Sequence, residues 1–129
     1  MRSGVLIAVA AILMSACYIH TYVTPFNAKV RRLPTCAEAV RIYVASSEVT
    51  QPYVEIARIA IWQPADMVIS PEQELLVQRK KAAELGANGL ILGHPLDQHQ
   101  PRDESSLAIF VSGDSVQTVE VCGSTRQPK

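Results

Sequence analysis

Residues 70–92 limit the fold more than any other stretch of this chain. Ser70-Pro71-Glu72-Gln73 opens a helix with the residues a first turn needs. Ser70 can accept a bond from an unpaired backbone N–H, Pro71 suits the first helical position, and Gln73 can close a capping box. Leu75, Leu76, Ala82 and Ala83 then supply an apolar stripe. Arg79, Lys80 and Lys81 fall toward the C-terminal half, where the helix dipole favours positive charge. Gly86 stops the helix as a left-handed cap. Ala87-Asn88-Gly89 leads into Leu90-Ile91-Leu92, a short buried strand. A helix with one apolar side must be covered, and the flanking sequence offers strands to cover it.

Val40, Ile42 and Val44 alternate with Arg41 and Tyr43, which predicts a strand within Val40–Val49. Gln51-Pro52 marks a turn. Tyr53–Trp62 reads as a longer strand with Tyr53, Ala57, Ile59 and Ile61 on one face and Val54, Ile56, Ala60 and Trp62 on the other. Apolar residues on both faces place it inside a sheet. Glu55 and Arg58 interrupt it and, in a regular strand, point to opposite faces. Ser106–Val111 and Val116–Val121 read as two more strands about the hairpin signal Ser112-Gly113-Asp114-Ser115. The expected fold is α+β: a small, mainly antiparallel sheet of about five strands with one helix packed on one face. If the strands before and after the helix run parallel, the helix crosses over right-handed.

The N-terminus has a different character. Arg2 precedes the apolar run Val5–Met14, which closes on Met14-Ser15-Ala16-Cys17. A short apolar run behind one basic residue, ending in small residues, reads as a secretory signal. Ser15-Ala16-Cys17 resembles the lipobox of bacterial lipoproteins, with Met14 where that motif usually carries Leu. The resemblance implies that the Cys17 sulfur carries diacylglycerol and that Cys17 is the first residue of the mature chain. An uncleaved anchor and an ordinary cleaved signal are the competing readings; the run Val5–Ile19 falls short of the ~20 residues a spanning helix needs. Tyr18 follows Cys17 where an Asp would imply inner-membrane retention, so the resemblance implies a lipid-anchored protein of the outer membrane, facing the periplasm. The expected organisation is a signal over 1–16, a tether over 17–35 with Pro25, Pro34, Lys29, Arg31 and Arg32, an α+β domain over 36–123 and a frayed tail over 124–129.

Removing the first 16 of 129 residues leaves 113, enough for one small domain. Loss of Arg2 leaves 11 basic and 12 acidic residues, and nothing here points to nucleic acid. Cys36 and Cys122 remain in an oxidising compartment, where an even number favours pairing. Two separate buried thiols are the alternative. A bridge would contribute about 4–5 kcal/mol in the chain-entropy model. It would join the first and last strands and require them to run antiparallel.

The run Lys81-Ala82-Ala83-Glu84-Leu85-Gly86-Ala87-Asn88-Gly89-Leu90-Ile91, behind two strands and a capped helix, resembles a module of small bacterial envelope proteins. It is similar to Rcs-type outer-membrane stress-sensor lipoproteins and YbjQ-like domains. The resemblance implies the fold and, by analogy, a sensor role. It brings no catalytic group.

His94, His99, Asp97 and Asp103 share one polar loop, a ligand chemistry suited to zinc, in a spacing that matches no strong metal motif. A solvated loop is the plainer reading. No Gly-x-Ser-x-Gly turn and no phosphate loop is present, and Gly86-Ala87-Asn88-Gly89 follows a helix instead of opening one. Trp62 before Gln63-Pro64 is either a docking aromatic or a residue at the edge of the core. These readings point to a non-enzymatic envelope lipoprotein, held to the membrane through Cys17, that binds an envelope protein as a sensor, adaptor or assembly accessory. They call for no cofactor, resident metal or catalytic residue. The alternative is a small-ligand or metal-ion binder using residues 94–103.

Overall fold

The computed structural model describes residues 19–27, 29–62, 69–93 and 105–125. Cys17, His94, Asp97, His99 and Asp103 lie outside the described residues. In chain order the elements are β1 (His20–Pro25), β2 (Arg41–Tyr43), β3 (Tyr53–Trp62), α1 (Pro71–Glu84), β4 (Gly89–Ile91), β5 (Ser105–Val111) and α2 (Ser115–Thr125). Short 3-10 turns occupy Ala37–Ala39, Ser46–Glu48 and Ser112–Asp114.

The strands form one five-stranded sheet in the order β1-β3-β5-β4-β2. The protein is α+β, and the sheet is mixed: β2 pairs parallel with β4, while β1–β3, β3–β5 and β5–β4 are antiparallel. Among the described residues there are two helices, not the single one expected from sequence. β3 and β4, on either side of α1, do run in the same direction, but β5 lies between them.

The second helix is the main correction. Val116–Val121 is not a strand, and Ser112–Asp114 is not a hairpin turn but a 3-10 turn feeding α2. The alternating valines misled because Val116 and Val119 face solvent, while Thr118 is buried and Val121 and Cys122 are partly covered. Positions 114, 118 and 121 recur at helical spacing, with Thr118 Oγ1 donating to the Asp114 carbonyl at 2.8 Å. The fifth strand is supplied instead by β1, inside the segment expected to be a tether. Residues 32–35 of that segment also pack on the end of α1. Thr35 N–H donates to Ala83 O at 2.9 Å and Thr35 Oγ1 to Ala87 O at 2.5 Å.

α1 begins as its sequence requires. The Ser70 hydroxyl accepts from Gln73 N–H at 3.2 Å, and the Gln73 side chain accepts from Ser70 N–H at 3.3 Å. It ends at Gly86, whose φ is +82°. A Cβ there would meet Arg32 Cβ at 2.5 Å and Leu33 O at 2.8 Å, so glycine answers both the backbone and the close approach of the N-terminal segment. The buried stripe runs through Leu75, Gln78, Ala82 and Leu85, while Leu76 is 61% exposed. Buried Gln78 accepts from Ser106 Oγ at 2.7 Å, a satisfied polar pair inside the helix–sheet contact.

The core lies on both faces of the sheet. On the α1 side Val40, Ile59, Leu90 and Ala108 meet Ala82, Ala83 and Ala87. On the opposite, outer face Tyr43, Ile91, Ile109 and Val111 pack with Val49 and Tyr53. The link from β2 to β3 therefore covers the outer face over β4 and β5. A bulge in β3 between Glu55 and Ala57 shifts the register against β5. It reverses the alternation, so Glu55 and Arg58 both line one outer-face depression with Tyr53, Ile91 and Leu107.

Candidate functional site

Asn88 organises the end of the sheet where α2 begins. Its backbone N–H donates to Ile109 O at 3.1 Å and its C=O accepts from Arg41 N–H at 3.0 Å. Its side-chain amide then behaves as one more peptide group of β4. Oδ1 accepts from Val111 N–H at 2.7 Å, and Nδ2 donates to Val111 O at 2.9 Å and to Thr118 Oγ1 at 3.3 Å. One buried residue thereby ties β2, β4, β5 and α2 together.

The disulfide completes this end. Cys36 and Cys122 are bonded, with Cα atoms 5.5 Å apart and a sequence separation of 86. Their setting differs from the expected one. Cys122 lies in α2 and Cys36 caps the turn before β2, so the bond joins a helix to a 3-10 turn and not two antiparallel strands.

Between α2 and the β2 edge lies a crevice of about 510 Å³, bordered by Glu38, Arg41, Ile42, Arg79, Gln117 and Val121, among others. Several of its polar groups are already engaged. Arg79 Nε donates to Val40 O at 3.0 Å and its Nη2 to Glu38 O at 3.2 Å. Arg41 sits over the Tyr43 ring with its Cζ 5.5 Å from the centroid. β2 is an edge strand, and Arg41 and Tyr43 spend their backbone groups on the β4 side. Parallel alternation turns the N–H and C=O of Ile42 to the open edge. The edge is short: Arg79 holds Val40 O on one side, and the Glu48 carboxylate accepts from Val44 N–H at 2.9 Å on the other.

A second surface lies at the opposite corner. The outer face of β1 and β3 presents exposed side chains among the described residues. Registered pairs bring His20 beside Trp62, Tyr22 beside Ala60 and Thr24 beside Arg58. The His20 and Trp62 rings lie 5.9 Å apart, Trp62 is 50% exposed and Tyr22 is 60% exposed.

Trp62 is therefore a surface aromatic and not a residue at the edge of the core. Among the described residues no three His, Cys, Asp or Glu side chains form a group able to hold a metal ion. No described helix is long and apolar enough to cross a membrane. No buried side-chain polar atom lacks a partner among the described residues. Sequence reasoning missed Asn88, which it read as a turn residue, and Arg79, which it read as a dipole partner. The signal for Asn88 was available: an Asn beside a buried three-residue strand is placed to extend that strand's pairing with its amide.

No family model matches the chain, and no curated protein matches it. Among solved structures the chain is similar to the crystal structure of a Francisella virulence factor, FvfA, at 18% identity and a TM-score of 0.44, over 73% of this chain and 97% of that one.

Proposed function

We propose that this chain is a non-enzymatic envelope lipoprotein, anchored through Cys17, that receives an extended segment of a protein partner in the crevice between β2 and α2. The observation that carries the reading is the crevice itself, bordered by Arg41 and by Ile42, whose N–H and C=O the parallel alternation turns to the open edge. An extended chain can add to such an edge by backbone bonding, with side-chain pockets supplying selectivity. Because Arg79 and Glu48 close the edge on either side, the mode is short and argues for a transient partner instead of open-ended sheet growth. Disulfide-clamped α2 forms the other wall, and its outer side leaves Val116 and Val119 exposed for further contact. The resemblance of residues 81–91 to Rcs-type sensor lipoproteins supports a sensor, adaptor or assembly role in the outer membrane.

A photoreactive residue at position 117, on the crevice wall, tests this in native membranes. Adducts to one envelope protein are expected from position 117 and not from position 84 on α1, and Arg41→Glu should abolish them. Equal labelling from both positions, or adducts indifferent to Arg41→Glu, would remove the crevice as the binding site.

A further inference from the structure

We infer that the end of the β1–β3 outer face nearest Cys17 dips into the lipid bilayer, with Trp62 and Tyr22 seated at the membrane interface. The inference rests on the lipid-anchor reading of Cys17 and goes beyond it by assigning a second membrane contact and an orientation.

Chain length carries the first part of the argument. Only three residue steps separate Cys17 from His20, the first residue of β1. Fully extended, they span about 10 Å. A lipid on Cys17 therefore holds the first pair of the sheet, His20 beside Trp62, within about 10 Å of the lipid-bearing residue. A long flexible tether would leave the domain free to tumble; a strand beginning three residues from the anchor does not.

Chemistry carries the second part. The pair nearest the anchor is Trp62 with His20, and the next pair on the same face adds Tyr22. Trp and Tyr have an apolar body and one polar atom, the side-chain type that collects at membrane interfaces. One further pair from the anchor, Arg58 faces outward beside Thr24. One lipid and this patch together make two membrane signals.

The placement also orients the protein. β1 and β2 are opposite edges of a five-stranded sheet, so the crevice lies about 19 Å across it. It is also at the other end of the strands, since β5 runs from Ser105 opposite Ala60 to Val111 opposite Tyr53, where α2 begins. The partner-binding corner points away from the membrane.

Trp62 is the sole tryptophan of the chain, so its emission reports this face directly. The test uses the full lipidated protein in vesicles of phosphatidylethanolamine and phosphatidylglycerol, with flotation and intact mass measured on the same sample. Expected are a blue-shifted emission, a several-fold loss of acrylamide quenching, and quenching by lipids brominated near the glycerol end of the chain. Tyr22→Glu, a change on an exposed edge position, should restore acrylamide quenching while flotation persists. Floating protein whose Trp62 remains as acrylamide-accessible as in lipid-free protein would overturn the docking and leave the anchor standing. Shielding from acrylamide without quenching by brominated lipid would assign the face to a second copy or another protein and overturn it equally. Protein that carries no lipid mass and does not float would overturn both readings.

Discussion

Replacing Asn88 by Ala should cost more stability than any other single polar deletion in the domain. Asn88 is 2% exposed and Val111 is 1% exposed, so neither the amide nor the peptide groups it serves reach water. The change leaves both the N–H and the C=O of Val111 without their partners, at 2.7 and 2.9 Å in the parent. An unsatisfied buried backbone group costs about 1–3 kcal/mol, so the pair is worth about 2–6 kcal/mol. Against a domain stability of roughly 5–15 kcal/mol this is a large fraction. At about 4–8 °C per kcal/mol for a domain of this size, the melting temperature should fall by at least about 8 °C. Urea titration of the oxidised protein measures the change, with the slope watched for loss of two-state behaviour. Thr118→Val serves as the control. It removes the weaker 3.3 Å contact to Asn88 and the bond to Asp114 O while leaving Val111 paired, and should cost about 1 kcal/mol. A loss below about 1 kcal/mol for Asn88→Ala would falsify the view that its amide substitutes for a strand residue.

Four further outcomes are expected. Cys36→Ser with Cys122→Ser should lower stability by about 4–5 kcal/mol from the 86-residue closure alone, read as the difference in urea midpoint from the oxidised parent. Gly86→Ala should cost at least about 1–2 kcal/mol for the left-handed backbone, and more because its Cβ displaces Arg32 and Leu33; hydrogen exchange should show Thr35 N–H losing protection. The Glu72 carboxylate is held below its usual range, first by its own backbone N–H and then by the Ser70 hydroxyl. A depressed folded pKa means a contribution present above the ordinary carboxylate value and lost as pH falls through the folded one, so Glu72→Gln should remove that contribution at neutral pH and flatten the dependence of stability on pH below about 4.5. Cys17→Ser should abolish lipid labelling and processing, and an unchanged mature mass would refute the anchor.

Local chemistry determined the elements whose signals are local. Ser70, Pro71, Gln73 and Gly86 place the ends of α1 from sequence because capping and left-handed backbone are decided within a few residues. The internal position of β3 followed in the same way from its two apolar faces. Cys36 and Cys122 were legible as partners by count, though not by setting. The face of α1 was misread at one position because hydrophobicity was followed over spacing: Leu76 is 100° off the stripe that Leu75, Gln78 and Ala82 define, and Gln78 is buried because Ser106 waits opposite it.

Tertiary structure alone decided the rest. VQTVEV alternates like a strand, yet it forms α2 because Thr118 packs on Asn88 and Cys122 is bonded to Cys36, contacts 30 and 86 residues away. β-propensity is a weak preference that such contacts override. β1 carries little pattern of its own and becomes a strand because β3 offers a free edge. The bulge at Ile56 sets Glu55 and Arg58 on one face, which no alternation rule could foresee. Both proposed surfaces follow from those long-range choices: the crevice exists because α2 is a helix, and the aromatic face exists because β1 pairs beside Trp62. The residues were in the sequence, but their meeting depended on contacts far apart along the chain.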